Sequence, residues 1–283
     1  MAMVDLPRFD IRRVLCHRRD LILVAYALVV LALRVWAVVG GAGFSIVLFV
    51  GSVLAMPTLW AVKHNALHRP VFVHGHTDRA FLGVLSVLTG TASSWTTVVH
   101  CDVHHRHNNG QRDWTTVTQA PGFRWQAARI ATYPAIVAAR LWRERSRYLA
   151  DNPAIARRVV GETVVVLTLV AIALVVSPVA ALLYIVVPIV FGQWFLIAMN
   201  YLQHADGTVG AELEHSVNDT GRIFNFVLLN LGYHAAHHLN PGAHWSALPD
   251  LHRRYVADEV DGRFNRPDFA RRLVGDVVLR VDP

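Results

Sequence analysis

The sequence predicts an all-α integral membrane protein, with four transmembrane helices and a helical cap formed by the remaining segments. Two observations carry this fold class. Of the 283 residues, 54% are hydrophobic and 17% are charged, whereas soluble domains carry about 25% charged residues. Four stretches are also long and apolar enough to cross a bilayer, which takes about 20 residues of helix. This composition excludes a disordered chain, a coiled coil and an ordinary soluble enzyme.

Short connections join the predicted spans in pairs. The spans run over 21–40, 44–62, 159–176 and 179–199. Gly41, Ala42 and Gly43 separate the first two, and Ser177 and Pro178 separate the last two. Connections this short, made of small residues and proline, indicate tight turns between antiparallel helices.

Two charged residues fall within these apolar stretches. Arg34 is expected to face the protein interior, because an unpaired charge in lipid is costly. Glu162 lies near the start of its helix, where it is expected to reach the headgroup region.

Positive charge outside the spans predicts the orientation. Residues 1–20 hold five Arg, 63–158 hold thirteen Lys or Arg, and 200–283 hold eight, whereas the two short turns hold none. The positive-inside rule therefore places both termini and the 63–158 segment in the cytoplasm, at the plasma membrane if the cell is prokaryotic. We expect one membrane domain over 1–283, with a cytoplasmic cap built from 63–158 and 200–283. The net charge of +7 suits anionic headgroups and requires no nucleic acid.

The uncharged stretch 81–99 is a candidate fifth span. It is rich in Gly, Ser and Thr, and a fifth crossing would move every later segment to the other side of the membrane. That crossing would place the histidines at 64–68 and those at 100–105 on opposite sides of the membrane, although they are expected to meet. We therefore interpret 81–99 as an interfacial or re-entrant stretch.

Histidine is the most unusual component, with 16 in the chain. Nine of them form the groups H-N-A-L-H, H-C-D-V-H-H and H-A-A-H-H, together with one histidine just past the fourth span. These nine are His64, His68, His100, His104, His105, His204, His234, His237 and His238. On a helix, spacings of three or four place side chains on one face, so each group presents imidazoles to a shared point. The adjacent histidines add a ligand angled toward a neighbouring metal.

Nine imidazoles exceed a single zinc site, which takes about three or four protein ligands, and suit two metal ions. Imidazole accommodates Fe, Zn, Cu and Ni, so ligand chemistry alone does not choose the metal. H-N-A-L-H lacks the glutamate of a zinc protease, and Cys16 and Cys101 are too few for an iron–sulfur site. A bis-histidine haem carrier of electrons is the alternative from another class, although it would need isolated histidines paired across facing spans.

The three groups of histidines resemble the sequence motifs of a known family. H-N-A-L-H, H-C-D-V-H-H and Y-H-A-A-H-H-L-N-P-G, followed by L-P-D-L-H, resemble the three histidine boxes of the membrane fatty-acid desaturase and hydroxylase superfamily over roughly 45–255. The resemblance implies a non-haem di-iron centre that uses O₂ to attack an unactivated C–H bond. In the acyl-CoA branch, a further histidine binds metal and an asparagine four residues earlier reaches it through water. His204 and Asn200 match that arrangement, so Asn200 joins the nine histidines as an implied ligand.

The implied function is an O₂-dependent oxidoreductase acting on a lipid or fatty-acyl chain, with desaturation favoured over hydroxylation. The second box has three residues between its first two histidines, a variant shared by hydroxylases and some desaturases. Hydroxylation of a fatty acid, alkane or other apolar substrate therefore stays open. The sequence has no cytochrome b5-like segment, cysteine quartet or nucleotide-binding motif. Electrons are thus expected from a separate ferredoxin or cytochrome b5-like protein with its reductase, docked on the Arg-rich face.

Two further expectations concern the surroundings of the metals. Metal-bound imidazoles usually donate their second N–H to a carboxylate or carbonyl. The nearest carboxylates are Asp102, Asp113 and Asp206. The weaker candidates for a contact with a metal-bound imidazole are His107, His215, His244 and His252. An aliphatic chain is expected to reach the metals through an apolar slot bordered by 81–99, which a bulky residue at Gly83 or Gly90 would shorten.

Overall fold

The structure is a computed structural model that describes residues 11–120 and 122–281. The fold is all-α, which confirms the predicted class. The helices of the first half are α1 (Asp20–Val39), α2 (Ile46–His68), α3 (Gly75–Thr89), α4 (Ser93–Thr97), α5 (His105–His107) and α6 (Gln126–Asp151). Those of the second half are α7 (Pro153–Val176), α8 (Pro178–Ala181), α9 (Val187–His204), α10 (Arg222–Val227), α11 (His234–Leu239), α12 (Leu248–Tyr255) and α13 (Phe269–Arg272).

Short irregular elements connect these helices. Three π-helical turns span Val98–His104, Leu182–Val186 and Leu273–Val278. Four 3-10 turns span Ile11–Arg13, Val117–Gln119, Trp245–Ala247 and Gly262–Phe264. Within the described ranges, one small parallel sheet pairs β1 (Asn218–Asp219) with β2 (Asn265–Arg266), with Asn218 opposite Asn265.

Four helices are long and apolar enough to cross a membrane, and they match the four predicted spans. They are α1, α2, α7 and the continuous helix Pro178–His204, which contains α8, a π-helical turn and α9. The structure extends three of them beyond the prediction, and α7 begins at Pro153 rather than at 159. Helix α2 continues through the first histidine box to His68, and the last span continues to His204. These histidines therefore lie on the final turns of the spans rather than after them.

The turn between α1 and α2 is fixed from the fourth span. Gly41 has a φ of +60°, a left-handed conformation that favours glycine. The Tyr184 hydroxyl donates to the Gly43 carbonyl at 2.5 Å and accepts from the Ser45 amide at 2.9 Å. Because Ser45 is also the N-cap of α2, these bonds set where the second span begins.

The stretch 81–99 does not form one straight helix. It is divided between α3 and the Ser93–His107 helical segment, which are bent by 92° relative to each other. Gly90, at the break, has a φ of +72°, and a Cβ there would lie 2.4 Å from the Ile189 Cγ2 atom. The bend turns the second box back toward the ends of the spans.

Buried charged side chains hold the end of α3 in place. Arg34 is buried and donates to the Leu88 carbonyl at 2.6 Å, so it faces the protein interior as expected. Lys63 is fully buried and donates to Thr89 Oγ1 at 2.9 Å and to the Thr91 carbonyl at 2.6 Å. These bonds anchor α3 on the first two spans.

Glu162 is bonded to both arms of the bend. Its Oε2 atom accepts hydrogen bonds from Ser86 Oγ at 2.9 Å and from the Ser94 amide at 3.2 Å. The carboxylate thus joins α7 to α3 and to the Ser93–His107 segment.

Candidate metal centre

The nine predicted histidines converge in two groups at the ends of the spans. In each group, one ring nitrogen from every histidine lies within 4.8 Å of the others. The first cluster contains His64, His68, His100, His105 and His237. The second cluster contains His104, His204, His234 and His238.

The nitrogen separations in the first cluster suit one metal ion. His105 Nε2 lies 3.1 Å from His100 Nε2 and 3.0 Å from His237 Nε2. Two nitrogens bound to one ion at about 2.1 Å and at right angles stand about 3.0 Å apart. The donor set and its spacing therefore fit a first-row transition metal.

The second cluster has the same chemistry with four rings. His204 Nε2 and His234 Nε2 are 3.0 Å apart. The Nε2 atoms of His104 and His238 are buried and form no hydrogen bond with a described residue. Burial and the neighbouring imidazoles hold the pKa of His238 well below its ordinary value. His238 is thus neutral, which is the form that binds metal.

A π-helical turn shapes the second box. In H-C-D-V-H-H, the paired histidines follow His100 by four and five residues, and the segment Val98–His104 is a π-helix. The wider turn places the His100 ring 5.4 Å from the His104 ring and 4.6 Å from the His105 ring. π-Helical turns are rare and occur frequently at functional sites. The second box has one residue more than the third between its first two histidines, and the wider π-helical turn accommodates that residue.

The third box reaches the same result with ordinary α-helical spacing. His237 and His238 follow His234 by three and four residues on α11, which has regular α-helical geometry. His237 turns toward the first cluster, whereas His234 and His238 turn toward the second. Adjacent histidines therefore belong to different clusters.

Asp113 is the carboxylate partner of His104. Its Oδ2 atom lies 2.7 Å from His104 Nδ1, and both side chains are buried. The aspartate also accepts bonds from the amides of Asn109 and Thr115 and from the Thr115 hydroxyl. Burial by itself raises the pKa of Asp113, but its interaction with His104 and these bonds outweigh burial and leave the pKa below its ordinary value. The ionised carboxylate keeps the proton on His104 Nδ1 and leaves Nε2 free.

A backbone carbonyl plays the same part for His204. Its Nδ1 atom donates to the His215 carbonyl at 3.1 Å. His215 is itself buried, its Nε2 atom has no hydrogen-bond partner among the described residues, and burial lowers its pKa to about 4. This backbone contact was not predicted, since a sequence pattern does not mark a carbonyl as a partner.

The other outer candidates are placed differently. Asp206 pairs with Arg280 at 2.7 Å, and Asp102 forms no hydrogen bond with any of the nine histidines. His107 and His252 lie outside both clusters. Cys101 places its Sγ atom 3.8 Å from His68 Nδ1, a contact that was not predicted. The sequence signal for this contact is that Cys101 directly follows His100, a predicted metal ligand.

Asn200 lies one turn before His204 on α9, and its Nδ2 atom donates to the Thr115 carbonyl at 3.0 Å. It lines an apolar cavity together with histidines of both clusters.

An apolar cavity of about 280 Å³ opens onto both clusters. The histidines in its wall are His64 and His100 of the first cluster and His104 and His234 of the second. Apolar side chains of α2, α6 and α9 form most of the remaining wall, and the 81–99 stretch contributes Thr91, Trp95, Thr96 and Val99. A buried apolar space beside converging ligands is suited to an aliphatic chain.

The expectation for Gly83 and Gly90 is wrong, because neither lines this cavity. A Cβ on Gly83 would have no atom within 4 Å, so a larger residue there has nothing to obstruct. A Cβ on Gly90 would collide with Ile189 in a left-handed backbone conformation.

The fold and the site together define a helical membrane protein with two neighbouring all-histidine clusters at the ends of its spans, beside an apolar cavity. A family model described as fatty acid desaturase matches residues 43–266, which is more than half of the chain. The chain therefore belongs to the fatty acid desaturase family, in the desaturase and hydroxylase superfamily of oxidoreductases. A search of curated proteins found no match.

Proposed function

We propose that this protein is an O₂-dependent di-iron oxidoreductase that desaturates an acyl chain. The observation that carries the proposal is the pair of all-histidine clusters bordering one apolar cavity. The family supports an oxidoreductase with a lipid substrate. A bis-histidine haem finds no support in clusters of five and four rings, since its iron takes two axial protein ligands.

The nine histidines would hold two iron ions, with Asn200 acting through water. When bound, the iron supplies the oxidising power that, with O₂, removes hydrogen from an unactivated methylene. The chain contributes neutral nitrogens whose second N–H groups are fixed by Asp113 and by the His215 carbonyl. Such outer partners set the tautomer and the ring orientation of a ligand.

The cavity selects and shields the substrate. Methylenes offer no polar handle, and burying each contributes only about 0.8 kcal/mol. The position of the attacked carbon therefore follows from the shape of the wall, formed on one side by Trp95 and Thr96. The apolar wall also excludes water from the reacting C–H bond.

Hydroxylation is the second candidate, favoured by the spacing of the second box. Product analysis distinguishes the two reactions. Lipid and metabolite profiles of cells with and without the gene, grown under ¹⁸O₂, are expected to show a new alkene without ¹⁸O in the chain. An alcohol carrying ¹⁸O would show a hydroxylase. A haem absorption band together with unchanged lipid profiles would contradict both.

The proposed orientation places both termini and the cap in the cytoplasm, in one domain over residues 1–283. The exposed arginines of α6, such as Arg143 and Arg147, are suited to an acidic electron donor docked on the cap. That donor is proposed to be a ferredoxin or cytochrome b5-like protein with its reductase.

The orientation gives a labelling prediction. Single cysteines at the exposed positions Gly75, Gln119 and Glu259, in a background in which Cys16 and Cys101 are both replaced by Ser, are expected to react with an impermeant maleimide only after the cytoplasmic side is opened. The three sites agree because the first two boxes meet only when their flanking segments share a side. Labelling of position 119 from outside intact cells would show that 81–99 crosses the membrane.

The cavity gives a chain-length prediction. Thr96→Phe places a ring in the cavity wall, so the preferred substrate is expected to become shorter while the iron content stays unchanged. Gly83→Leu is the matched control in the same stretch, since its side chain enters open space. Product distributions over a series of acyl lengths measure both. A uniform loss of rate at all lengths in Thr96→Phe would contradict selection by the slot.

A further inference from the structure

A second, much smaller cavity lies beside the first cluster. Its volume is about 10 Å³, and its lining residues include Asp20, Asn65, His68, His237 and Trp245. A space of about 10–15 Å³ holds one water molecule when several polar groups surround it. His68 and His237 belong to the first cluster, so the cavity adjoins two proposed metal ligands.

Three polar atoms of residues that line this cavity lack protein partners. Asp20 Oδ2, Asn65 Nδ2 and Trp245 Nε1 are buried, and none forms a hydrogen bond with a described residue. His237 also lines the cavity, and its Nε2 atom lies 3.0 Å from His105 Nε2, which leaves Nδ1 as its other ring nitrogen. Buried polar groups are nearly always paired with protein or with ordered water. One unpaired acceptor and two unpaired donors therefore lie beside His237 around a space of the size of one water.

The Asp20 carboxylate is held from its other side. Its Oδ1 atom lies 2.9 Å from His244 Nε2, and His244 Nδ1 lies 2.8 Å from Ser246 Oγ. The His17 ring stands 3.8 Å from the His244 ring. Asp20 is 2% exposed, so the free oxygen has a fixed direction.

We propose that this cavity binds one water molecule that connects Asp20 to His237, and that Asp20 is a positioning residue for the first metal site. The water donates to Asp20 Oδ2 and accepts from His237 Nδ1–H and from Trp245 Nε1 or Asn65 Nδ2. Its two hydrogens and two lone pairs suffice for these contacts. The proposal rests on the proposed function, because it requires that the first cluster holds a metal.

The water-mediated link gives the two clusters matching support. Asp113 contacts His104 of the second cluster directly, and Asp20 would reach His237 of the first through the water. In both places a carboxylate keeps the proton on Nδ1 and leaves Nε2 for the metal. Such outer partners typically change metal affinity by about 10–100-fold when removed.

The test is metal affinity, measured by competition with a chelator on the purified full-length protein. Asp20→Asn keeps the shape of the side chain and removes its charge. We expect one of the two bound irons to be held about 10–100-fold more weakly. The metal-free protein is also expected to melt at a lower temperature, because the change weakens the buried contact between Asp20 and His244. Asp20→Asn and His244→Gln together are expected to cost less than the sum of the two single effects, because both act through one path.

Asp78→Asn is the matched control. Asp78 also lies in the first turn of a helix, α3, and accepts hydrogen bonds from the Val71 and Phe72 amides at 2.8 and 3.0 Å. It does not line the small cavity. Its replacement is expected to lower the melting temperature of the metal-free protein and to leave both iron affinities unchanged.

The outcomes separate the two proposals. Failure of the wild-type protein to bind two metal ions would contradict the di-iron function itself. Wild-type binding of two ions together with equally tight binding in Asp20→Asn would overturn the role of Asp20. A loss of metal-free stability in Asp20→Asn as large as in Asp78→Asn, with both iron affinities unchanged, would show a purely structural carboxylate.

Discussion

Replacement of His105 by alanine is expected to abolish product formation and to lower the iron content from about two ions per chain to about one. His105 Nε2 is within 3.1 Å of the nitrogens of both His100 and His237. The His105 ring therefore contacts two other members of the first cluster. Membrane insertion is expected to be normal, because the spans partition by their apolar surface and not by the metal. Metal analysis and turnover of the purified protein measure the effect.

His107→Ala is the control for that experiment. His107 lies two residues further along the same short helix and outside both clusters. Its replacement is expected to preserve the iron content and the activity. Full activity in His105→Ala, or a single zinc ion in the wild-type protein, would contradict the di-iron assignment. The same loss of turnover is expected for His104→Ala, His237→Ala and His238→Ala.

Replacement of Asp113 by alanine is expected to weaken iron binding at the second cluster by about 10–100-fold. The change removes the 2.7 Å partner of His104 and leaves the Asn109 and Thr115 amides without their acceptor. Each buried donor that is left without its acceptor typically costs about 1–3 kcal/mol of folding free energy. Chelator competition and thermal unfolding of the metal-free protein measure the two effects separately.

Asp219→Ala separates metal binding from stability. Asp219 is another fully buried carboxylate, paired with Arg272 at 2.6 Å, and it belongs to neither cluster. Its loss is expected to lower the unfolding free energy by a similar amount with no change in iron affinity. If Asp113→Ala altered stability alone, its role at His104 would be structural only.

The sequence alone determined the features that depend on local composition and spacing. An apolar stretch of about 20 residues spans a bilayer whatever surrounds it, so the four spans were predictable. Histidines three or four residues apart lie on one face of a helix, whereas a spacing of five turns the side chain away from that face. That is why the nine clustered residues were found, and why Asp113, eight residues beyond the second box, was among the candidates.

Only the tertiary structure decided how the histidines divide. The second box gives His100 and His105 to the first cluster and His104 to the second, whereas the third box gives only His237 to the first. This division depends on the directions in which separate helices approach one another. The 92° bend at Gly90 also depends on packing, against Ile189 of the fourth span. Asp20 is more than two hundred residues from His237, so no local spacing relates them, and folding alone brings both to one small cavity.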